Sequence, residues 1–232
     1  MNIVFMGTPD FAVPCLRALL EDGHRVSLVV TQADKPKGRG HRLTAPPVKE
    51  LALTSGIPVF QPATLKNGEA AERIAAARPE LIVVVAYGKI LPPAILSLPP
   101  EGCINVHGSL LPRYRGAAPI QWAVLNGETE TGVTTMRMDA GLDTGDMLLS
   151  SRLAIPPDMT AGELYDALAD EGAVLLSRTL REMVARTLRA VPQPAEGATY
   201  APMLDRSLSP MDWRKPASVL HNQVRGLNPW PS

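Results

Sequence analysis

The chain has 232 residues, 45% hydrophobic and 20% charged, with 23 basic against 23 acidic side chains. That length can bury a full core and suits one large domain, or one and a piece. A net charge of zero gives no field for binding nucleic acid over the whole surface, so any such contact must come from a local patch.

Asn2–Met6 opens the chain as an apolar strand. In the turn after it, Thr8 is expected to cap a helix running through Leu20, with Pro9 at its first position and Asp10 complementing its dipole. This is not a glycine-rich phosphate turn, and the charge of Asp10 would repel a nucleotide phosphate there. Val26–Thr31 reads as a second strand. It opens onto the loop from Gln32 to Pro47, the most basic stretch of the chain, which holds Asp34, Lys35, Lys37, Arg39, His41 and Arg42 with Gly38 and Gly40. A loop of that length inside a domain is uncommon and often functional.

A helix over Val48–Thr54, a short strand at Val59–Phe60 and an Ala-rich helix over Glu69–Ala77 follow. Leu81–Ala86 is a near-continuous β-branched run, hence a central buried strand, and it ends in Tyr87-Gly88. Leu91–Leu98 and Ala117–Asn126 read as helices on either side of the strand Cys103–Val106. Gly132–Met138 and Met147–Leu153 read as strands joined by a tight turn at Asp143, an antiparallel extension of the sheet. Thr160–Arg186 has the apolar spacing of one long amphipathic helix with Thr160 as its N-cap.

From Val191 the prolines at 192, 194 and 202 suggest an extended linker over 191–206. A short strand at Met211–Trp213 and a helix carrying Val219, Val224 and Leu227 then open a second unit, 207–232. The alternation of strands and helices over 1–190 predicts an α/β fold with a doubly wound, mostly parallel sheet.

Chemistry concentrates on Cys103–Pro112. A strand alternates faces, so Asn105 and His107 point the same way, at the strand end where open α/β sheets bind ligands. Two such residues alone could be a loop tether and a satisfied interior histidine. A third polar group, Asp143 in its Gly-flanked turn, makes them a candidate site. Cys103 is expected to face away from the pair or to be buried. With Cys15 it reads as a packed thiol, not a disulfide partner. No Cys/His spacing suggests a metal. No apolar run reaches the roughly 18 residues of a membrane helix and no targeting segment stands first, so no membrane contact and a cytoplasmic location are expected.

Asn105, His107 and Asp143, with Ser109-Leu110-Leu111-Pro112 and Leu142-Asp143-Thr144-Gly145, resemble the folate-dependent formyltransferases. Met6–Ala12, Ala86-Tyr87-Gly88, Arg113–Gln121 and Asn228–Pro231 extend the resemblance along the chain, towards the members that formylate initiator methionyl-tRNA. The resemblance implies a Rossmann-like sheet of the formyltransferase type. It also implies formyl transfer from 10-formyltetrahydrofolate to the α-amino group of methionyl-tRNA, in translation initiation. Asn105, His107 and Asp143 would be catalytic. Asn105 would donate to the oxyanion of the tetrahedral intermediate. His107 would donate to the same oxygen or move a proton to the leaving folate nitrogen, and Asp143 would orient His107 or hold a water.

Folate would lie against Ser109, Leu110, Leu111, Pro112 and the Ala86, Tyr87, Gly88 end; for Tyr87, ordinary packing with its hydroxyl at the surface is an equal expectation. Lys35, Lys37, Arg39 and Arg42 would meet tRNA phosphates, since their loop follows a strand at the same edge of the sheet. Relatives carry a further C-terminal β-barrel domain, so 207–232 reads as the beginning of a truncated one. Alternatives are another formyltransferase using the same donor, a hydrolase releasing formate from it, and an idle binding module. A glycinamide ribonucleotide acceptor would want the phosphate turn that Asp10 disfavours.

Overall fold

The computed structural model describes residues 1–37 and 42–231. The first half alternates strands and helices: β1 (Asn2–Gly7), α1 (Val13–Glu21), β2 (Arg25–Val30), β3 (Lys35–Lys37), β4 (Arg42–Thr44), α2 (Pro47–Thr54), β5 (Val59–Phe60), α3 (Glu69–Ala76) and β6 (Leu81–Val85). Next come α4 (Pro93–Leu96), β7 (Cys103–His107), β8 (Arg115–Gly116), α5 (Pro119–Leu125), β9 (Glu130–Arg137), β10 (Met147–Ala154) and α6 (Ala161–Val184). The last elements are β11 (Tyr200–Ala201) and α7 (Ala217–Gly226).

Seven strands form one sheet in the order β10-β9-β7-β6-β1-β2-β5. β5, β2, β1, β6 and β7 run parallel, while β9 pairs antiparallel with β7, and β10 with β9. The period-two alternation of the strands feeds two cores. Ile3, Phe5, Val83, Val85, Ile104 and Val106 pack with α1, α5 and α6. Val4, Met6, Ile82, Val84 and Cys103 pack on the other face with α3 and α4. Both faces are covered, as a largely parallel sheet requires. Thr160 caps α6 as its sequence suggests: its Oγ1 accepts from Glu163 N at 3.2 Å, and Glu163 Oε2 accepts from Thr160 N at 2.8 Å. Among the described residues no helix is long and apolar enough to cross a membrane.

Several local expectations change. Thr8 caps no helix, because Pro9 and a single 3-10 turn stand between it and α1. Its hydroxyl donates to Tyr87 O at 3.4 Å and accepts from Gln32 N at 3.3 Å, tying together the ends of β1, β2 and β6. The stretch expected as a loop carries the β3–β4 hairpin. Of the two expectations for Cys103, burial holds: it shares the face of Asn105, as residues two apart on a strand do, and is buried there, with its thiol pushed up to about 12 by burial. Met211–Trp213 is not a strand but leads into a turn at Trp213 and Arg214, where Asp212 pairs with Arg214.

Residues 191–206 hold no helix until a 3-10 turn begins at Arg206 and no strand beyond β11, yet they are tied to the domain along their length. Val191 bridges Met147, β11 pairs with β8, and Trp122 Nε1 donates to Pro202 O at 2.8 Å. α7 then packs on α5, so closely that a Cβ on Gly226 would lie 2.8 Å from Leu125.

Candidate active site

β7 sits between β6 and β9, with Val84 opposite Asn105 on one side and Met136 opposite it on the other. Two hydrogen-bonded ladders therefore fix the direction of Asn105 and His107. The sheet brings them to Asp143, as expected from sequence. Asn105 Nδ2 lies 3.5 Å from Asp143 Oδ1, at the outer limit of a hydrogen bond. His107 Nδ1 lies 3.7 Å from Asp143 Oδ2, beyond one. That gap is also too short for a water in line, so a water touching both must sit beside the pair. The side chains of His107 and Asp143 are only 6% and 13% exposed, which raises the strength of any charge contact between them.

The far side of the imidazole is tied down. His107 Nε2 is 2.9 Å from Tyr114 O. A carbonyl only accepts, so this nitrogen carries hydrogen and Nδ1 is left to face Asp143. Tyr114 adopts a left-handed backbone (φ 59°), held by its amide donating to Thr199 Oγ1 at 2.8 Å and its hydroxyl donating to Glu128 at 2.6 Å.

Asp143 comes from the turn between β9 and β10, also left-handed (φ 52°), a conformation that Asp tolerates better than most residues. Asp139 Oδ1 closes the turn by accepting from Gly141 N and Thr144 Oγ1. Gly116 N donates to Asp143 Oδ2 at 2.8 Å. Gln193 Nε2 donates to the carbonyls of Asp143 and Gly145, each at 2.8 Å. Tyr114, Gly116 and Gln193 escape a reading for chemical side chains. The first two act through backbone atoms, and Gln193 stands in a proline-rich stretch with no catalytic signature. The run Arg113–Gln121 was the only sequence signal near them.

The expected folate wall divides. Ser109 is buried and its hydroxyl donates inward, to Arg113 O at 2.7 Å. Leu111 is buried as well, and its amide donates to Thr134 Oγ1 at 3.2 Å; Leu110 and Pro112 remain partly open. Ala86 and Gly88 are exposed, each with positive φ. Tyr87 lies between them with its ring in the core, 1% exposed, so neither its ring nor its hydroxyl reaches the surface. Among the described residues that hydroxyl has no hydrogen-bond partner, and burial pushes its pKa up to about 12.

Of the expected tRNA contacts, Lys35 is exposed on β3, and Lys37 and Arg42 form the last rung of the hairpin. Arg39 lies outside the described residues, as does His41. The stem is anchored at Asp34, whose carboxylate accepts from Lys49 Nζ and Gln61 Nε2 at 2.8 Å. These bonds hold the Asp34 pKa below its ordinary value. Among the described residues, no three His, Cys, Asp or Glu side chains meet as a metal site would require.

Residues 1–180 match the formyl transferase family, and the chain belongs to that family. It is 57% identical over 231 residues to the methionyl-tRNA formyltransferase of Acetivibrio thermocellus, covering 100% of this chain and 74% of that protein. The methionyl-tRNA formyltransferase of Moorella thermoacetica is 55% identical over the same length, with the same coverage. Within the family the chain thus groups with the methionyl-tRNA formyltransferases.

Two solved structures share the fold. The N-formyltransferase of Helicobacter canadensis, in complex with folinic acid and dTDP-3-aminofucose, has a TM-score of 0.76 at 22% identity, covering 97% of this chain and 79% of that one. Glycinamide ribonucleotide transformylase 1 of Symbiobacterium toebii has a TM-score of 0.66 at 19% identity, covering 82% and 93%.

Proposed function

We propose that this chain transfers the formyl group of 10-formyltetrahydrofolate to the α-amino group of initiator methionyl-tRNA. The observation that carries the reading is the meeting of Asn105, His107 and Asp143 at the C-terminal end of β7, in a chain 52–57% identical to methionyl-tRNA formyltransferases. In the reaction the amine attacks the formyl carbon and the carbonyl oxygen becomes an oxyanion. The amine sheds one proton, and the departing folate nitrogen gains one. Asn105 offers its amide hydrogens to the oxyanion, an interaction worth about 3–4 kcal/mol in comparable sites.

His107 Nε2–H is committed to Tyr114 O, so Nδ1 is the ring atom free to take up or release the proton. Asp143 faces that nitrogen and stabilises the imidazolium once it forms. No side chain is required as a nucleophile. The exposed Ala86 and Gly88 and the partly open Leu110 and Pro112 offer the folate a wall. Lys35, Lys37, Arg39 and Arg42, the basic residues of the 32–47 stretch, are the candidates to hold phosphates of the tRNA. The test is to incubate the chain with 10-formyltetrahydrofolate and charged initiator tRNA and assay formyl-methionine. Formate release at the same rate without tRNA would instead identify a hydrolase.

A further inference from the structure

Gln193 is the only residue between 191 and 200 that is not exposed. Prolines flank it on both sides, which lowers the entropy lost on holding it in place. Its amide is used at both ends. Oε1 accepts from Arg115 Nε at 3.0 Å and from a second Arg115 nitrogen at 2.7 Å. Arg115 can only donate, so it fixes which way the amide faces. Nε2 must then point at the carbonyls of Asp143 and Gly145, two acceptors that suit its two hydrogens. The residue after Arg115 closes the circuit, since Gly116 N donates to the Asp143 carboxylate. Asp143 is thus gripped by its backbone from one side and by its carboxylate from the other.

We propose that Gln193 is a positioning residue for formyl transfer, holding Asp143 at its distance from Asn105 and His107 while Arg115 locks the amide. The proposal rests on the formyl-transfer reading above. Gln193 touches neither substrate nor reacting atoms; it acts through the turn.

The experiment compares the 232-residue chain with its Gln193→Leu and Gln193→Glu variants. Leu keeps the size and removes every hydrogen bond. Glu retains the Arg115 pair and turns an oxygen towards the two carbonyls. Exchange of the Gly116 amide is read by NMR and should speed up roughly tenfold or more in both variants as its acceptor moves. Formylation should lose roughly tenfold or more in kcat, with both KM values within about threefold, because sub-ångström placement of a catalytic group governs rate more than binding. The thermal midpoint should stay within about 4 °C, as expected for a partly exposed side chain.

Unchanged Gly116 exchange in both variants overturns the proposal. So does a kcat within twofold of an active parent, or a joint collapse of kcat, KM and thermal midpoint. A parent that forms no formyl-methionine sinks the formyl-transfer reading instead. The exchange result then decides alone whether Gln193 holds Asp143.

Discussion

The two halves of the candidate site are held in different ways. Asn105 and His107 stand on a strand with a ladder on each side, so five residues of sequence and their neighbours set their direction. Asp143 stands on a turn whose backbone has no ladder. It is held by Gly116 and Gln193, and 50 residues separate Gln193 from it along the chain. The strand half is rigid for reasons that serve the whole sheet. The turn half depends on a few contacts, each of which can be removed without touching the core. Dynamics in the site should therefore be asymmetric, with the Asp143 side opening at lower free energy.

The largest effects should come from the three side chains themselves. Asn105→Ala, His107→Ala and Asp143→Ala should each lower kcat by roughly a hundredfold or more while far-UV circular dichroism stays unchanged. Folded Asn105→Ala or Asp143→Ala protein with near-normal turnover would sink the catalytic assignment for both halves.

Next come two glycines, one in each half. A Cβ on Gly145 would sit 1.8 Å from Arg137 O, which is backbone and cannot give way cheaply. A Cβ on Gly108 would meet Ile120 side-chain atoms at 3.1 Å, and those can shift. Gly145→Ala should cost about 1–3 kcal/mol in urea unfolding and Gly108→Ala less. Equal costs would remove the contrast between the halves.

The basic hairpin should contribute less than either. Replacing Lys37, Arg39 and Arg42 together by Ala should raise the KM for methionyl-tRNA roughly tenfold at low salt, flatten its salt dependence and leave folate binding unchanged. Formylation equal to the parent's at moderate salt would make the hairpin an idle surface feature.

The smallest effect is one of pH. Hydrogen bonds from Lys49 and Gln61 hold Asp34 below its ordinary 3.8. A depressed carboxylate contributes order above its unfolded value, and that contribution is lost as pH falls through the folded value. Amide protection at the base of the hairpin should therefore be full at neutral pH and decline only below about pH 4, with Lys49→Met lowering it at neutral pH and the difference closing towards the acid limit. Protection that stays flat down to the acid limit in the parent would exclude Asp34 as the anchor.

The sequence alone determined the sheet. Continuous apolar runs such as Ile3–Met6 and Leu81–Val85 are satisfied by strands buried on both faces, and prolines in the first turn mark where α1, α2, α4 and α5 begin, as the Thr160 cap does for α6. It also determined that Asn105 and His107 share a face, because strand periodicity is a local property. The same periodicity puts Cys103 on that face as well, where it is buried.

What no local rule carries was decided by the tertiary structure. The Tyr114 carbonyl that sets the tautomer of His107 is a backbone atom, and every residue has one. Thr8 changed from helix cap to strand tie because Tyr87 and Gln32 came within reach of it. Residues 191–206 read as a linker because prolines forbid regular structure, but prolines do not say what an extended segment lies against. That segment lies along the Asp143 turn. Its grip on Asp143 depends on contacts between residues far apart in the chain, and such contacts exist only once the sheet has brought them together.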